Sequence, residues 1–467
     1  MRDKTVRWLW QAPGRKKGYI AALTAVQALL GGYGVVYALL LRNIVNAAVA
    51  HESGAFWHFV LLIFLLVAGQ LCLQAVVRWL NELSKSTLEN AFKKRLTENI
   101  LRRDFASVSA VHSGEWVNRL TNDTVVVANG YVEILPGLAG MAVRLISALV
   151  MLIVLDSTFA LVLVPGGLLL MALTYAFRKV LKRLHKRMQE SDGKLRVFLQ
   201  ERIGNLMVIK SFAAEEQTAK DTEEKLLDHK TARMKKNRLS NFCNMGFGAA
   251  MHGMYLFGVV YCAYGILTDS VSYGTLTAVM QLIGQIHAPF ANISGYLPRW
   301  YAMTASAERL MEIEQFPDDG AETALSFAQI SDYYEKQFRG ITLRDACFTY
   351  AGEDMPVVLK NLNLEIRKGE IIAFTGHSGC GKSTVLKLLL ALYPLDSGER
   401  QLDGQPLTPA WRRLFAYVPQ GSALMHGSIR EIVSFGAPDQ SHNEEKLRHA
   451  LTIACAADFV YELEQGR

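Results

Sequence analysis

Gly376-His-Ser-Gly-Cys-Gly-Lys-Ser-Thr384 meets the pattern G-x-x-x-x-G-K-[ST] through Gly376, Gly381, Lys382 and Ser383. Glu370-Ile-Ile-Ala-Phe-Thr375 before it reads as a buried strand. Ser383-Thr-Val-Leu-Lys-Leu-Leu-Leu after it reads as a helix. Strand, glycine loop and helix in that order are the context the motif requires. The glycines let the backbone wrap closely, so that successive N–H groups point at phosphate oxygens. The helix N-terminus adds its positive dipole end. In such a loop Lys382 reaches the β- and γ-phosphates and the Ser383 hydroxyl ligates Mg²⁺. Gly376, His377, Ser378, Gly379, Cys380, Gly381, Lys382, Ser383 and Thr384 are therefore the expected ATP-binding residues. A Gly-rich turn with a chance lysine is the competing reading, and the complete motif in its proper context outweighs it. Cys380 sits at a helix N-terminus, where a thiol can become reactive; a small, permissive position is the plainer reading.

Upstream the chain is of another kind. Its 467 residues are 51% hydrophobic yet 20% charged, so apolar blocks alternate with ordinary polar stretches. Six segments have the roughly 20 apolar residues that a bilayer span needs: Tyr19–Leu41, Phe56–Leu80, Tyr131–Leu155, Thr158–Phe177, Cys243–Leu267 and Thr275–Leu297. Short loops join them in pairs, and the long polar stretches Asn81–Gly130 and Arg178–Phe242 separate the pairs. The N-terminal arm (Arg2, Lys4, Arg7, Arg15, Lys16, Lys17) and the long stretches carry the positive charge; the short loops are nearly bare of it. The positive-inside rule then puts the N-terminus, the long stretches and the nucleotide motif in the cytoplasm.

The net charge of +7 needs no nucleic-acid partner, since much of it flanks spans, where it favours anionic lipid. The six cysteines lack metal-ligand spacing, and disulfides are not expected in membrane or cytoplasm. Polar residues inside spans are the only hints about cargo. Gln27, Arg144, Gln285 and Asn292 are candidates for a substrate path, with Gln281 and His287 beside them. Plain interhelix packing, or exposure to a water-filled cavity without specificity, is the alternative for each. Pro136, Pro165 and Pro289 are expected to kink or loosen their helices.

Taken together, these features make the chain resemble an ABC exporter half-transporter along essentially its whole length. His112-Ser-Gly-Glu-Trp-Val-Asn-Arg-Leu-Thr-Asn-Asp123 and Glu201-Arg-Ile-Gly-Asn-Leu-Met-Val-Ile-Lys-Ser-Phe-Ala-Ala-Glu215 are similar to the family's two intracellular loops. The resemblance implies that these stretches extend the spans as helices and end in short coupling helices. It assigns coupling to the nucleotide domain to Gly114, Arg119, Asp123, Glu201, Gly204 and Phe212. Phe348-Thr-Tyr350 is similar to the aromatic loop, with Tyr350 stacking on adenine. Tyr417-Val-Pro-Gln420 is similar to the Q-loop, with Gln420 and Ser383 as Mg²⁺ contacts. The next stretch, Leu424-Met-His-Gly-Ser-Ile-Arg-Glu-Ile, also fits the family. Asp396-Ser-Gly398 and Leu402-Asp-Gly404 are turn signals in any protein.

The implied fold is an α-helical polytopic membrane domain of six spans, followed by a partial α/β P-loop NTPase domain. The expected boundaries are 1–310 for the membrane domain, 311–338 for a linker and 339–467 for an incomplete nucleotide-binding domain. The family's signature sequence, second nucleotide motif with its catalytic Glu, and switch His do not occur before Glu464-Gln-Gly-Arg467. The expectation is an exporter fragment that binds ATP and Mg²⁺ but does not hydrolyse ATP alone. The expected setting is multi-pass in a bacterial cell membrane, paired with a second half-transporter as homodimer or heterodimer and moving an unidentified substrate. No peptidase-like domain precedes Tyr19, which argues against a processing peptide exporter. A non-hydrolysing, ATP-binding regulatory subunit and an ATP-gated channel are the alternatives.

Overall fold

The computed structural model describes residues 2–320, 325–350, 356–421 and 425–463; the side chains at 2, 160, 162–164, 166–179, 181–182, 287, 288, 290, 291 and 294 lie outside the description. The chain divides into two compact units, Met1–Arg103 with Ser107–Pro317, and Asp104–Ala106 with Asp318–Arg467.

The first unit is helical. Its helices are α1 (Arg2–Gln11), α2 (Lys17–Val49), α3 (Ser53–Arg102), α4 (Phe105–Ala110, whose first two residues fall in the second unit), α5 (Ser113–Asn118), α6 (Thr124–Leu155), α7 (Ser157–Gly204), α8 (Leu206–Ser211), α9 (Glu215–Leu267), α10 (Tyr273–Asn292) and α11 (Tyr296–Glu312). Each of the six apolar segments falls on one of α2, α3, α6, α7, α9 and α10. Among the described residues, four helical stretches are long and apolar enough to cross a membrane: Gly14–Val49, Ser53–Arg102, Ser113–Leu155 and Glu215–Leu267. Most side chains of the fourth expected span, in α7, lie outside the description, as does His287. The sixth expected span runs past the end of α10 at Asn292, through the turn Ile293–Gly295, into the start of α11. At 1.5 Å per residue α3 is roughly 75 Å long, against about 30 Å of hydrocarbon. The long polar stretches are thus largely the outer halves of membrane-length helices.

Small residues let these helices approach. A Cβ on Gly31 of α2 would lie 2.5 Å from the Gly140 carbonyl oxygen of α6, and one on Gly140 would lie 3.0 Å from the Gln27 carbonyl oxygen. In lipid, where apolar surface gains nothing by leaving its solvent, such backbone proximity drives helix association. One core gathers Ala38, Ala148, Leu152, Phe159, Cys262, Val279 and Leu282 from α2, α6, α7, α9 and α10. A second gathers Leu9, Leu88, Phe92, Leu96, Val127, Met303, Leu310 and Ile313 around α3, α6 and α11. Beside this second core a single π-helical turn, Arg119–Asp123, leads into α6. The Asp123 carboxylate is fully buried and accepts from Ser306 Oγ at 2.8 Å, Arg309 Nε at 2.7 Å and Arg309 Nη2 at 2.5 Å. That bond holds the Arg309 guanidinium above its ordinary pKa. Arg119 donates to the Arg309 carbonyl oxygen at 2.9 Å and pairs with Glu312 at 2.8 Å, tying the turn to α11 a second time.

The second unit adds α12 (Phe327–Lys336), β1 (Gly340–Thr349), β2 (Val357–Arg367), α13 (Lys382–Leu389), β3 (Ser397–Leu402), β4 (Gln405–Pro406), α14 (Ile429–Val433), α15 (Glu444–Ile453) and α16 (Ala457–Glu462). The sheet order is β2-β1-β3-β4, with every pairing antiparallel. β3 and β4 form the hairpin signalled by Asp403-Gly404, both at positive φ (47° and 80°), as a two-residue Asp-Gly turn requires. Ile341, Leu343, Ala346 and Phe348 of β1 pack against Val385, Leu388 and Leu389 of α13. The buried Arg400 guanidinium bonds the carbonyls of Leu388, Tyr393 and Leu407; burial, with Arg412 nearby, pushes it down to about 10.

One expectation fails. Glu370–Thr375 is not a buried strand: it has no ladder partner, and Ile371 is 98% exposed. A central strand needs neighbours on both edges, and the described strands pair only with one another. α12 is a second difference, since a helix begins inside the stretch read as linker. Ser326 and Gln329 form a capping box at its start, and Tyr333 packs on Trp411 with centroids 4.6 Å apart. Leu424 and Glu464–Arg467 lie outside the described residues.

Two substitutions test this packing. Gly31→Val is expected to force α2 away from α6 and to cut the yield of folded protein in detergent severalfold, while Gly18→Val, at a glycine with nothing within 4 Å of a Cβ, leaves it unchanged. Asp123→Ala strands buried Ser306 and is expected to remove about 2 kcal/mol of stability. An unfolding midpoint equal to the parent's would refute the clamp.

Candidate functional site

The glycine loop has the backbone that its sequence demands. Gly376, Gly379 and Gly381 lie at φ of 146°, 83° and 96°, a region that side chains disfavour. Space forbids a side chain as well: a Cβ at Gly376 would lie 2.8 Å from Cys380 Sγ, and one at Gly381 would lie 3.0 Å from Leu359. Gly381 caps α13, whose first residues are Lys382, Ser383 and Thr384. The Lys382 ammonium bends back over the loop and donates to the carbonyls of Gly376 at 2.9 Å and His377 at 2.8 Å, with Cys380 Sγ at 3.6 Å. Turned amides, a helix N-terminus and an ammonium therefore converge within one short segment, which suits an anion with several oxygens.

Tyr350 joins this group. Its hydroxyl lies 3.0 Å from Thr384 Oγ1, and its ring meets Phe348 and Tyr393 edge-on at 4.8 and 5.4 Å. Phe105, which the sequence reading did not single out, stands in the same unit with its ring edge-on to Tyr393 at 5.6 Å. The only signal for it was its place in a polar stretch between two apolar runs. Gln420 is exposed and makes no hydrogen bond to the loop. Among the described residues no group of three or more His, Cys, Asp or Glu side chains gathers as metal ligands. The donors that fit Mg²⁺ are the hydroxyl of Ser383 and, at a distance, the amide of Gln420, both hard oxygen ligands.

The residues read as coupling positions separate into two groups. Gly114, the second residue of α5, donates its amide N–H to His112 Nδ1 at 3.1 Å. Arg119 and Asp123 are buried in the clamp on α11. Glu201 and Gly204 end α7 and are exposed, as is Phe212 after α8, at 80%. With Ile203, Leu206 and Met207 also exposed, this second end presents an apolar tip.

Three of the four substrate-path candidates lie around α2. Gln27 and Arg144 flank the crossing of α2 and α6. Gln285 of α10 lies against Gly34, where a Cβ would be 2.2 Å from its amide carbon, and both polar atoms of that amide are buried without a hydrogen-bond partner. Asn292 is exposed at the end of α10 and apart from them.

Comparison with known proteins agrees with both units. A family model described as ABC transporter transmembrane region matches residues 20–290, and one described as ABC transporter matches 359–463. The mitochondrial ATP-binding cassette sub-family B member 10 of Mus musculus is 28% identical over 399 residues, 83% of this chain and 54% of its own. The alpha-hemolysin translocation ATP-binding protein HlyB of Proteus vulgaris is 29% identical over 273 residues, 58% of this chain and 37% of its own. ABC transporter B family member 1 of Dictyostelium discoideum is 27% identical over 397 residues, 83% of this chain and 42% of its own. The chain thus spans about half the length, or less, of these curated relatives. The first model covers more than half of the chain along the helical unit, and the second covers the glycine loop. The chain belongs to the ABC transporter family and joins the membrane region of a half-transporter to part of its nucleotide-binding domain.

Proposed function

We propose that this chain is a subunit of an ATP-driven exporter, carrying one wall of an ATP·Mg²⁺ site and half of a membrane pathway. The observation that carries the reading is the loop itself: three glycines at positive φ and the Lys382 ammonium, at the start of α13. The amides of Gly376 to Thr384 hold phosphate oxygens, and Lys382 exchanges neutral carbonyls for anionic oxygens, which bond more strongly. Ser383 and Gln420 hold the metal, and Tyr350 supports the adenine ring. When bound, Mg²⁺ neutralises charge that develops on the terminal phosphate. Relatives named for ATP binding and translocation support the reading.

Gly114, Arg119 and Asp123, and Glu201, Gly204 and Phe212, pass the closure of two nucleotide domains to the spans. The second domain comes from another half-transporter, identical or different. The N-terminus and the nucleotide unit face the cytoplasm of a bacterial cell, and Gln27, Arg144, Gln285 and Asn292 border the route of the cargo. Functionally the chain divides at 1–310, 311–338 and 339–467.

Among the described residues Lys382 bonds the Gly376 and His377 carbonyls and no carboxylate. Purified membranes carrying this chain are expected to bind ATP weakly, to lose that binding at least tenfold in Lys382→Ala, as befits a charge-assisted phosphate contact, and to show no turnover. ATP hydrolysis that disappears in Lys382→Ala would overturn the account.

A further inference from the structure

α1 and α11 enclose a groove of about 290 Å³, lined by Thr5 and Val6 on one side and by Trp300, Tyr301, Thr304 and Glu308 on the other. Its chemistry is that of a cation site. Glu308 is exposed and accepts a hydrogen bond from Thr5 Oγ1 at 3.2 Å. Among the described residues no lysine or arginine neutralises it. Trp300 is 36% exposed, and the face of such a ring attracts ammonium groups. Thr304 donates its hydroxyl proton to the Tyr301 carbonyl at 3.0 Å, which leaves its oxygen able to accept.

The depth of the groove identifies the source of the cation. From Tyr273 to Trp300, α10 and α11 climb roughly 40 Å at 1.5 Å per residue, against about 40–45 Å for a bilayer with its headgroups. α1 directly precedes the apolar stretch that begins at Gly14. Its Trp10 is 71% exposed, with the Lys17 ammonium 5.1 Å over the ring. Tryptophan and lysine in that arrangement mark the membrane–water boundary. Lys4 and Arg7, exposed on α1, offer a phosphate its counter-charge.

We infer that this groove binds the headgroup of a primary-amine phospholipid, with its ammonium between Glu308 and the Trp300 ring and its phosphate toward α1. A carboxylate and a hydroxyl oxygen both accept hydrogen bonds. An ammonium bearing N–H donors satisfies them, and a quaternary one does not. The inference concerns the membrane region alone and is independent of ATP.

The full chain is reconstituted in nanodiscs of equal parts phosphatidylethanolamine, phosphatidylglycerol and phosphatidylcholine, re-extracted gently, and its retained lipid counted by mass spectrometry. Phosphatidylethanolamine is expected to be enriched about fivefold over both others, the scale of one net hydrogen bond of about 1 kcal/mol. Glu308→Gln, which keeps the shape and the Thr5 contact, is expected to bring the ratios close to one. Trp300→Leu, which keeps an apolar side chain, is expected to lower them. Lys382→Ala is expected to leave them unchanged. Equal retention of the three lipids, phosphatidylcholine held as well as phosphatidylethanolamine, or an enrichment that survives Glu308→Gln would each overturn the assignment.

Discussion

A peptide group in hydrocarbon finds no water, so a segment that crosses a membrane must close its own hydrogen bonds. That constraint makes the first unit helical, and it does not end where lipid ends. Once a helix is nucleated, each further residue adds a bond for little extra ordering. The polar halves of these helices are laced by i,i+4 pairs: Lys93 with Glu89, Lys94 with Glu98, Lys186 with Glu190, Arg196 with Asp192 and Lys220 with Glu216. Each is worth only a few tenths of a kcal/mol, yet all point the same way. The result is α3, α7 and α9 at 50, 48 and 53 residues, long rods that hold the chain's polar stretches in regular structure.

Legibility in the sequence depends on the range of each interaction. Apolar runs, the glycine loop and the Asp403-Gly404 turn are local, and each stands where the sequence puts it. The Asp123 clamp is not local: its partner Arg309 is 186 residues away, and nothing in either neighbourhood announces the other. The unpaired segment Glu370–Thr375 fails for the same reason. Its apolar composition states a preference for burial, but a ladder is a property of two or more strands, and composition cannot supply the neighbour. α12 was legible and missed: Ser326 and Gln329 are a capping signal, hidden by treating the stretch before the sheet as connection. Phe105 was illegible, because a single aromatic in a charged stretch gains meaning only through Tyr393.

The two polar centres solve opposite problems. Asp123 is a charge removed from water for good, and every one of its bonds is made within the protein, so its value lies in fixing α6 against α11. Lys382 is a charge held in reserve. Its ammonium rests on the Gly376 and His377 carbonyls, bonds that can be traded for stronger ones to an anion without moving the helix that carries it. The loop around it is fixed by glycines whose conformation no other residue adopts cheaply, and Tyr350 braces its far end through Thr384. Tyr350 in turn rests on Tyr393, and Tyr393 on Phe105, so a side chain from the stretch between the second and third apolar runs reaches the loop through two rings and one hydroxyl. A rigid cradle, an exchangeable cation and a packed aromatic support stand together, while Gln420 and the exposed segment Glu370–Thr375 remain outside the loop's hydrogen bonds. The loop's geometry is therefore set without a ladder under Glu370–Thr375.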